Sequence, residues 1–122
     1  MPSILVVEDE VAIAENIVAL LAARGYEMSS CGDGFDALEL ARKQPPHLVL
    51  LDVNLPRLSG FEICKLLRAD PRTDKVKIIM VTGLDRGGDV EKAFAVGADD
   101  YLVKPFDSER LLKKIQKALL GP

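Results

Sequence analysis

The chain has 122 residues, 48% hydrophobic and 29% charged, with a formal charge of −3. That size and balance suit one globular domain and exclude a disordered tail; without a basic excess or a tryptophan, a general grip on nucleic acid or a base-stacking platform is not expected. No apolar run is long enough to cross a bilayer and no export leader opens the chain, while Cys31 and Cys64 lack CxxC spacing and read as buried, reduced thiols of a cytoplasmic protein.

Short unbroken apolar runs alternate with stretches of helical period. Residues 4–7 form the first run, followed by Ala14, Ile17, Val18 and Leu21 at helical spacing and a stop at Gly25. A weaker strand, 27–31, is placed nearer a sheet edge, and Ala37, Leu38 and Ala41 then mark a second helix that ends before Pro45-Pro46. The run 48–51 is the third strand. Ser59 and Glu62 have capping-box spacing ahead of a helix carrying Ile63, Leu66 and Leu67. The run 78–81 is the fourth strand, and Val90, Ala93 and Phe94 mark a helix closed by Gly97. Residues 101–103 form the last strand, and Leu111, Leu112 and Ile115 the apolar stripe of the last helix. Continuous β-branched runs suit strands covered on both faces. The expected fold is therefore α/β, a (βα)5 doubly wound parallel five-stranded sheet, with residues 1–122 as a single domain.

In such a sheet ligands gather at the carboxyl ends of the strands. Glu8 and Asp9 follow the first strand, Asp52 the third, Thr82 the fourth and Lys104 the fifth, so one edge collects three acids, a hydroxyl and one ammonium. Crowded carboxylates raise each other's pKa unless a cation sits among them. Lys104 supplies one charge; a hard divalent ion, Mg²⁺ with Mn²⁺ as the substitute, balances the rest and keeps positions open for a phosphate oxygen. Helix capping accounts for Asp9 but not for Asp52, Thr82 and Lys104 converging on one edge. The edge reads as a socket for a phosphoryl group, with Asp52 as the nucleophile and Lys104 and Thr82 binding phosphoryl oxygens.

The chain resembles, over essentially its whole length, the receiver domain of two-component response regulators. The matching segments are Ile4-Leu-Val-Val-Glu-Asp-Glu10, Leu50-Leu-Asp-Val-Asn-Leu-Pro-Arg-Leu-Ser-Gly60, Val81-Thr82 and Gly97-Ala-Asp-Asp-Tyr-Leu-Val-Lys-Pro-Phe106. The resemblance implies a flavodoxin-like strand order 2-1-3-4-5. It implies that Asp52 accepts a phosphoryl group from a sensor histidine kinase or a histidine phosphotransfer protein. It matches Glu8, Asp9, Asp52 and the backbone carbonyl of Asn54 to the Mg²⁺ ligands, Thr82 and Tyr101 to the switch pair, and Lys104, before a cis Pro105, to the phosphoryl-pairing lysine. The chain would catalyse its own phosphorylation and dephosphorylation without a metabolic substrate or an organic cofactor. Its surface at the fourth helix, fifth strand and fifth helix would control a downstream protein or output domain and is a candidate homodimer contact, with no direct nucleic-acid or membrane binding. The resemblance also places Asn54 and Leu84 at positions that would tune dephosphorylation.

Other features read more plainly. His47 is a surface or turn residue, and Lys113, Lys114 and Lys117 form a solvated outward face or part of a dimer contact. Asp99-Asp100 is a polar loop or the acidic side of that contact, and Gly87-Gly88 a flexible lead into the fourth helix. An aspartyl-nucleophile phosphatase would need a second acid where Asn54 stands, and a flavin or nucleotide carrier would need a glycine-rich loop where residues 8–12 are acidic. The remaining alternative is a receiver-shaped interaction module that works without phosphorylation.

Overall fold

A computed structural model describes residues 2–83 and 88–120. Leu84 and Gly87, which the sequence reading singles out, lie outside the described residues. The elements are β1 (Ser3–Val7), α1 (Val11–Ala22), β2 (Glu27–Cys31), α2 (Gly34–Lys43), β3 (Leu48–Asp52), α3 (Gly60–Ala69), β4 (Lys77–Thr82), α4 (Asp89–Ala95), β5 (Asp100–Val103) and α5 (Ser108–Leu120). All strand pairs are parallel, in the order β2-β1-β3-β4-β5.

Within the apolar runs alternate residues face opposite layers, as the two-residue period of a strand requires. Leu5, Val7, Val49, Leu51, Ile78 and Met80 pack with Ala37, Ile63, Leu67 and Ala93, so α2, α3 and α4 cover one face. Ile4, Val6, Leu48, Leu50, Ile79 and Val81 pack with Ile17, Leu21, Leu111 and Ile115, placing α1 and α5 on the other. Every residue of β3 is buried, Asp52 included. The edge strand β2 is largely exposed, and this corrects the reading of Cys31: its side chain is only half-buried, while Cys64 is fully buried. Burial still pushes both thiols up to about 11, with Asp36 and Asp33 adding to the effect at Cys31. A raised thiol pKa lowers the thiolate fraction, and with it the nucleophilicity, at neutral pH. Leu66 and Phe94, counted with the apolar stripes, are exposed.

Local chemistry sets the element ends. Gly25 takes φ 94° after α1, a left-handed conformation that a Cβ disfavours. Asp33 caps α2 by accepting from the Asp36 amide at 3.0 Å. The Ser59 hydroxyl accepts from the Glu62 amide, and the Glu62 carboxylate accepts from the Ser59 amide at 3.2 Å, closing the expected capping box. Arg68 ties α3 to the lower edge of the sheet, donating to the carbonyls of Gly97 and Val76 and to Asp99 at 2.9 Å. His47 lies at the start of β3, where its Nδ1 accepts from the Ser3 amide at 3.0 Å.

Gly60 controls the loop that follows Asp52. Its amide donates to the Val53 carbonyl at 2.9 Å, and a Cβ there would collide with the Asp52 carbonyl oxygen and lie 2.9 Å from Val53 Cα. These are backbone atoms that cannot step aside. Gly60→Ala should therefore destabilise the fold by about 3 kcal/mol in urea unfolding. An unchanged midpoint would mean that the loop and α3 are free to separate.

Candidate phosphoryl-acceptor site

Parallel pairing brings the polar strand ends together. Asp52 is in register with Val81, and Thr82, the next residue along β4, with Val103. The Lys104 amide donates to the Thr82 carbonyl at 2.7 Å, so the lysine leaves β5 beside the end of β4. The Glu8 amide donates to the Cys31 carbonyl, which holds the start of the β1–α1 loop against β2.

At the centre, the Lys104 ammonium donates to Asp52 Oδ2 at 3.0 Å and to Glu8 Oε1 at 3.1 Å. Asp52 Oδ1 accepts from the Asn54 amide at 3.0 Å. Glu8, Asp9 and Asp52 each offer a carboxylate oxygen within 4.8 Å of the others. Glu8 and Asp52 are buried and Asp9 is exposed at the rim. The Lys104–Pro105 peptide is cis.

Charge and burial conflict here. Glu8 sits against a wall that includes Val6, Ile13, Ile17, Leu50 and Phe106. Burial, together with the hydrogen bond and charge of Asp52, pushes its carboxyl up to about 7, although Lys104 pulls it down. For Lys104 burial disfavours the charge, but its hydrogen bonds to Asp52 and Glu8, and their charges, hold it above the usual lysine range. Among the described residues, two buried polar atoms of this edge lack a hydrogen-bond partner, Glu8 Oε2 and Thr82 Oγ1. A carboxyl raised by burial, a spare carboxylate oxygen and a spare hydroxyl are groups that could serve a cation and an oxyanion.

The family model described as the response regulator receiver domain matches residues 4–116. The chain belongs to that family.

Among its relatives is the DNA-binding dual master transcriptional regulator RpaA of Synechocystis, 39% identical over 98% of this chain and 49% of the relative. The chain thus spans about half the length of that relative. Among solved structures, the chemotaxis response regulator CheY4 of Vibrio cholerae superposes with a TM-score of 0.92 at 35% identity, covering 98% of this chain and 99% of the other. The receiver domain of the sensor histidine kinase PA1611 from Pseudomonas aeruginosa, described with a magnesium ion coordinated in its active site cleft, gives a TM-score of 0.90 at 32% identity, with 98% of each chain covered.

This receiver's expected site residues fall into two groups. Lys104 meets Glu8 and Asp52 directly and Asp9 lies within 4.8 Å of both acids, with Thr82 at the neighbouring strand end and Asn54 engaging Asp52 through its amide. Tyr101 stands apart from the crevice. Its ring meets Phe94 of α4 edge-on at 5.9 Å and carries the Lys114 ammonium 4.5 Å from its centroid. Lys114 also pairs with Asp100 at 2.9 Å and is half-buried, which corrects the reading of this lysine as outward and solvated. Position on the helix alone hides this, because a long side chain can lay its stem along a neighbour and bring its charge to a tertiary partner. Lys113 and Lys117 are exposed as expected. Asp99 and Asp100 form ion pairs within the chain, with Arg68 and Lys114. The apolar wall around Glu8 escaped sequence reasoning; its signal was Phe106 directly after Lys104-Pro105.

Proposed function

We propose that this receiver is a phosphorylation-dependent signalling switch in which Asp52 is the acceptor and Mg²⁺ the resident ion. The observation that carries the reading is the meeting of Asp52 with Lys104, Glu8 and Asp9 at the strand ends, beside a Thr82 hydroxyl with no partner among the described residues. Glu8, Asp9, Asp52 and the Asn54 carbonyl would hold the ion. Bound there, it would neutralise the acids and draw charge from a phosphoryl oxygen.

The remaining chemistry belongs to the side chains. An Asp52 carboxylate oxygen attacks phosphorus as the P–N bond to a donor imidazole breaks, and the electron pair of that bond returns to the imidazole. The donor is a phosphohistidine of a sensor kinase or a phosphotransfer protein. Lys104, already 3.0 Å from Asp52, follows the charge onto one phosphoryl oxygen, and the Thr82 hydroxyl donates to another. Attack of water on phosphorus later returns the carboxylate and free phosphate. When Thr82 moves toward the phosphoryl group, the Tyr101 ring turns inward and leaves Phe94 and Lys114. The surface of α4, β5 and α5 changes with it, for a partner, an output domain or a second copy to read.

The test is incubation with Mg²⁺ and a small acyl phosphate, followed by intact mass measurement. One phosphoryl adduct is expected, labile to hydroxylamine, mapping to the peptide that contains Asp52 and absent when a chelator removes the metal. A chain that stays unmodified would favour an interaction module that ignores phosphate.

A further inference from the structure

The loop after Asp52 holds an unusual turn. Arg57 has φ 67°, and the Leu58 amide donates to the Pro56 carbonyl at 2.7 Å. An amide reaching back two residues around a centre of positive φ defines the rare γ-turn, a strained form that a side chain disfavours. Arg57 is the sole non-glycine residue of positive φ among the described residues. A conformation of that kind persists where its surroundings hold it.

The side chain of Arg57 shows what holds it. Its Nη2 donates to Asp33 Oδ2 at 2.6 Å, and its guanidinium lies 4.9 Å from the centroid of Phe35. Asp33 is fixed in turn, since its other carboxylate oxygen caps α2 through the Asp36 amide. The bridge crosses from the β3–α3 loop to the β2–α2 loop. The β2–α2 loop follows Cys31, whose carbonyl accepts from the Glu8 amide at 3.1 Å, and a Cβ added at Gly32 would come into ordinary contact with the backbone of Glu8 and Asp9. The loop bearing Asn54 is thereby tied to the side of the crevice where the acidic pair stands. At its other end Gly60 already clamps it to Val53.

Resting on the reading of the crevice as a cation-dependent acceptor, we propose that Arg57 is a positioning residue. Its bridge to Asp33 and Phe35 fixes the loop carrying Asn54 against the Glu8–Asp9 pair, and so raises the affinity of the crevice for a divalent cation. Arg57 touches neither ion nor phosphoryl group; it acts through the backbone it constrains. The carboxylate of Asp33 serves the same purpose from the opposite loop.

The experiment measures Mg²⁺ affinity by calorimetry and amide exchange of the metal-free loop, with the whole chain. Arg57→Ala should weaken Mg²⁺ binding about five- to tenfold, the low end for groups behind metal ligands because the pair is exposed. It should also speed exchange of the Leu58 amide. Asp33→Asn keeps the α2 cap, since Asn caps as well as Asp, and should weaken binding to a similar degree. The double variant should be no weaker than the worse single one, and Arg57→Lys should recover part of the loss. Equal Mg²⁺ affinity in wild type, Arg57→Ala and Asp33→Asn would overturn the proposal, as would additive losses in the double variant. A wild-type protein that binds no Mg²⁺ would instead sink the reading of the crevice itself. If Arg57→Ala unfolds, Asp33→Asn and Arg57→Lys carry the same comparison.

Discussion

Asp52→Asn should give a folded protein that takes up no phosphoryl group from an acyl phosphate and Mg²⁺, with the rate of adduct formation falling by at least about a thousandfold. The amide has the carboxylate's shape and leaves an oxygen to accept from the Asn54 amide, so the loop keeps its anchor. It lacks the nucleophilic charge, and an amide nitrogen facing the Lys104 ammonium sets donor against donor. The same change has an electrostatic consequence that a mere loss of fold would not produce. The hydrogen bond and charge of Asp52 both raise the Glu8 pKa, so the variant should hold Glu8 closer to ordinary carboxylate behaviour, with the elevation due to burial remaining. Because three acids face one ammonium, removing one should leave the metal-free protein at least as stable as wild type at neutral pH. Urea unfolding and intact mass together check this. An adduct persisting in the variant would move the acceptor to another side chain of the crevice.

The site was legible in the sequence because its residues sit at ends of strands that are covered on both faces. Four-residue runs such as 48–51 have no amphipathic alternation, and only a strand between two helical layers tolerates that. Asp52 at the end of such a run has nowhere to point but the sheet edge. Strand β2 was harder to see: Glu-Met-Ser-Ser-Cys is an exposed edge that needs little apolar content, and for the same reason Cys31 is less buried than expected. Helix α4 buries Ala93 and leaves Phe94 exposed, so its apolar spacing promised a broader stripe than the short helix uses. The pairing of Lys114 with Asp100 and Tyr101 depends on how α5 packs against β5, which no local pattern encodes. The turn at Arg57 was hidden because left-handed positions are usually signalled by glycine or asparagine, and here an ion pair and an aromatic ring hold arginine in that role.

The largest pH effect should come from Glu8, and its sign is opposite to that of an ion-paired acid. Its carboxyl is raised from 4.5 to about 7 in the folded chain, first by burial and then by Asp52. Between those limits the folded state keeps a proton that the unfolded state releases, so stability is present below pH 4.5 and falls as pH rises to about 7. In the absence of metal the loss should be about 2–3 kcal/mol in urea unfolding. Lys104 does not cancel this, since its raised pKa places its own loss of stability in the alkaline range. Mg²⁺ competes with that proton for the same oxygens. Its affinity should therefore climb across the interval, and calorimetry in buffers of different ionisation enthalpy should detect proton release on binding. Glu8→Gln separates the two effects. A neutral amide needs no proton, so the metal-free variant should lose most of the slope and exceed wild type in stability above pH 7, while binding Mg²⁺ more weakly. A wild-type slope that is flat, or that rises over this interval, would show that Glu8 is ionised in the folded protein, with Lys104 outweighing the burial.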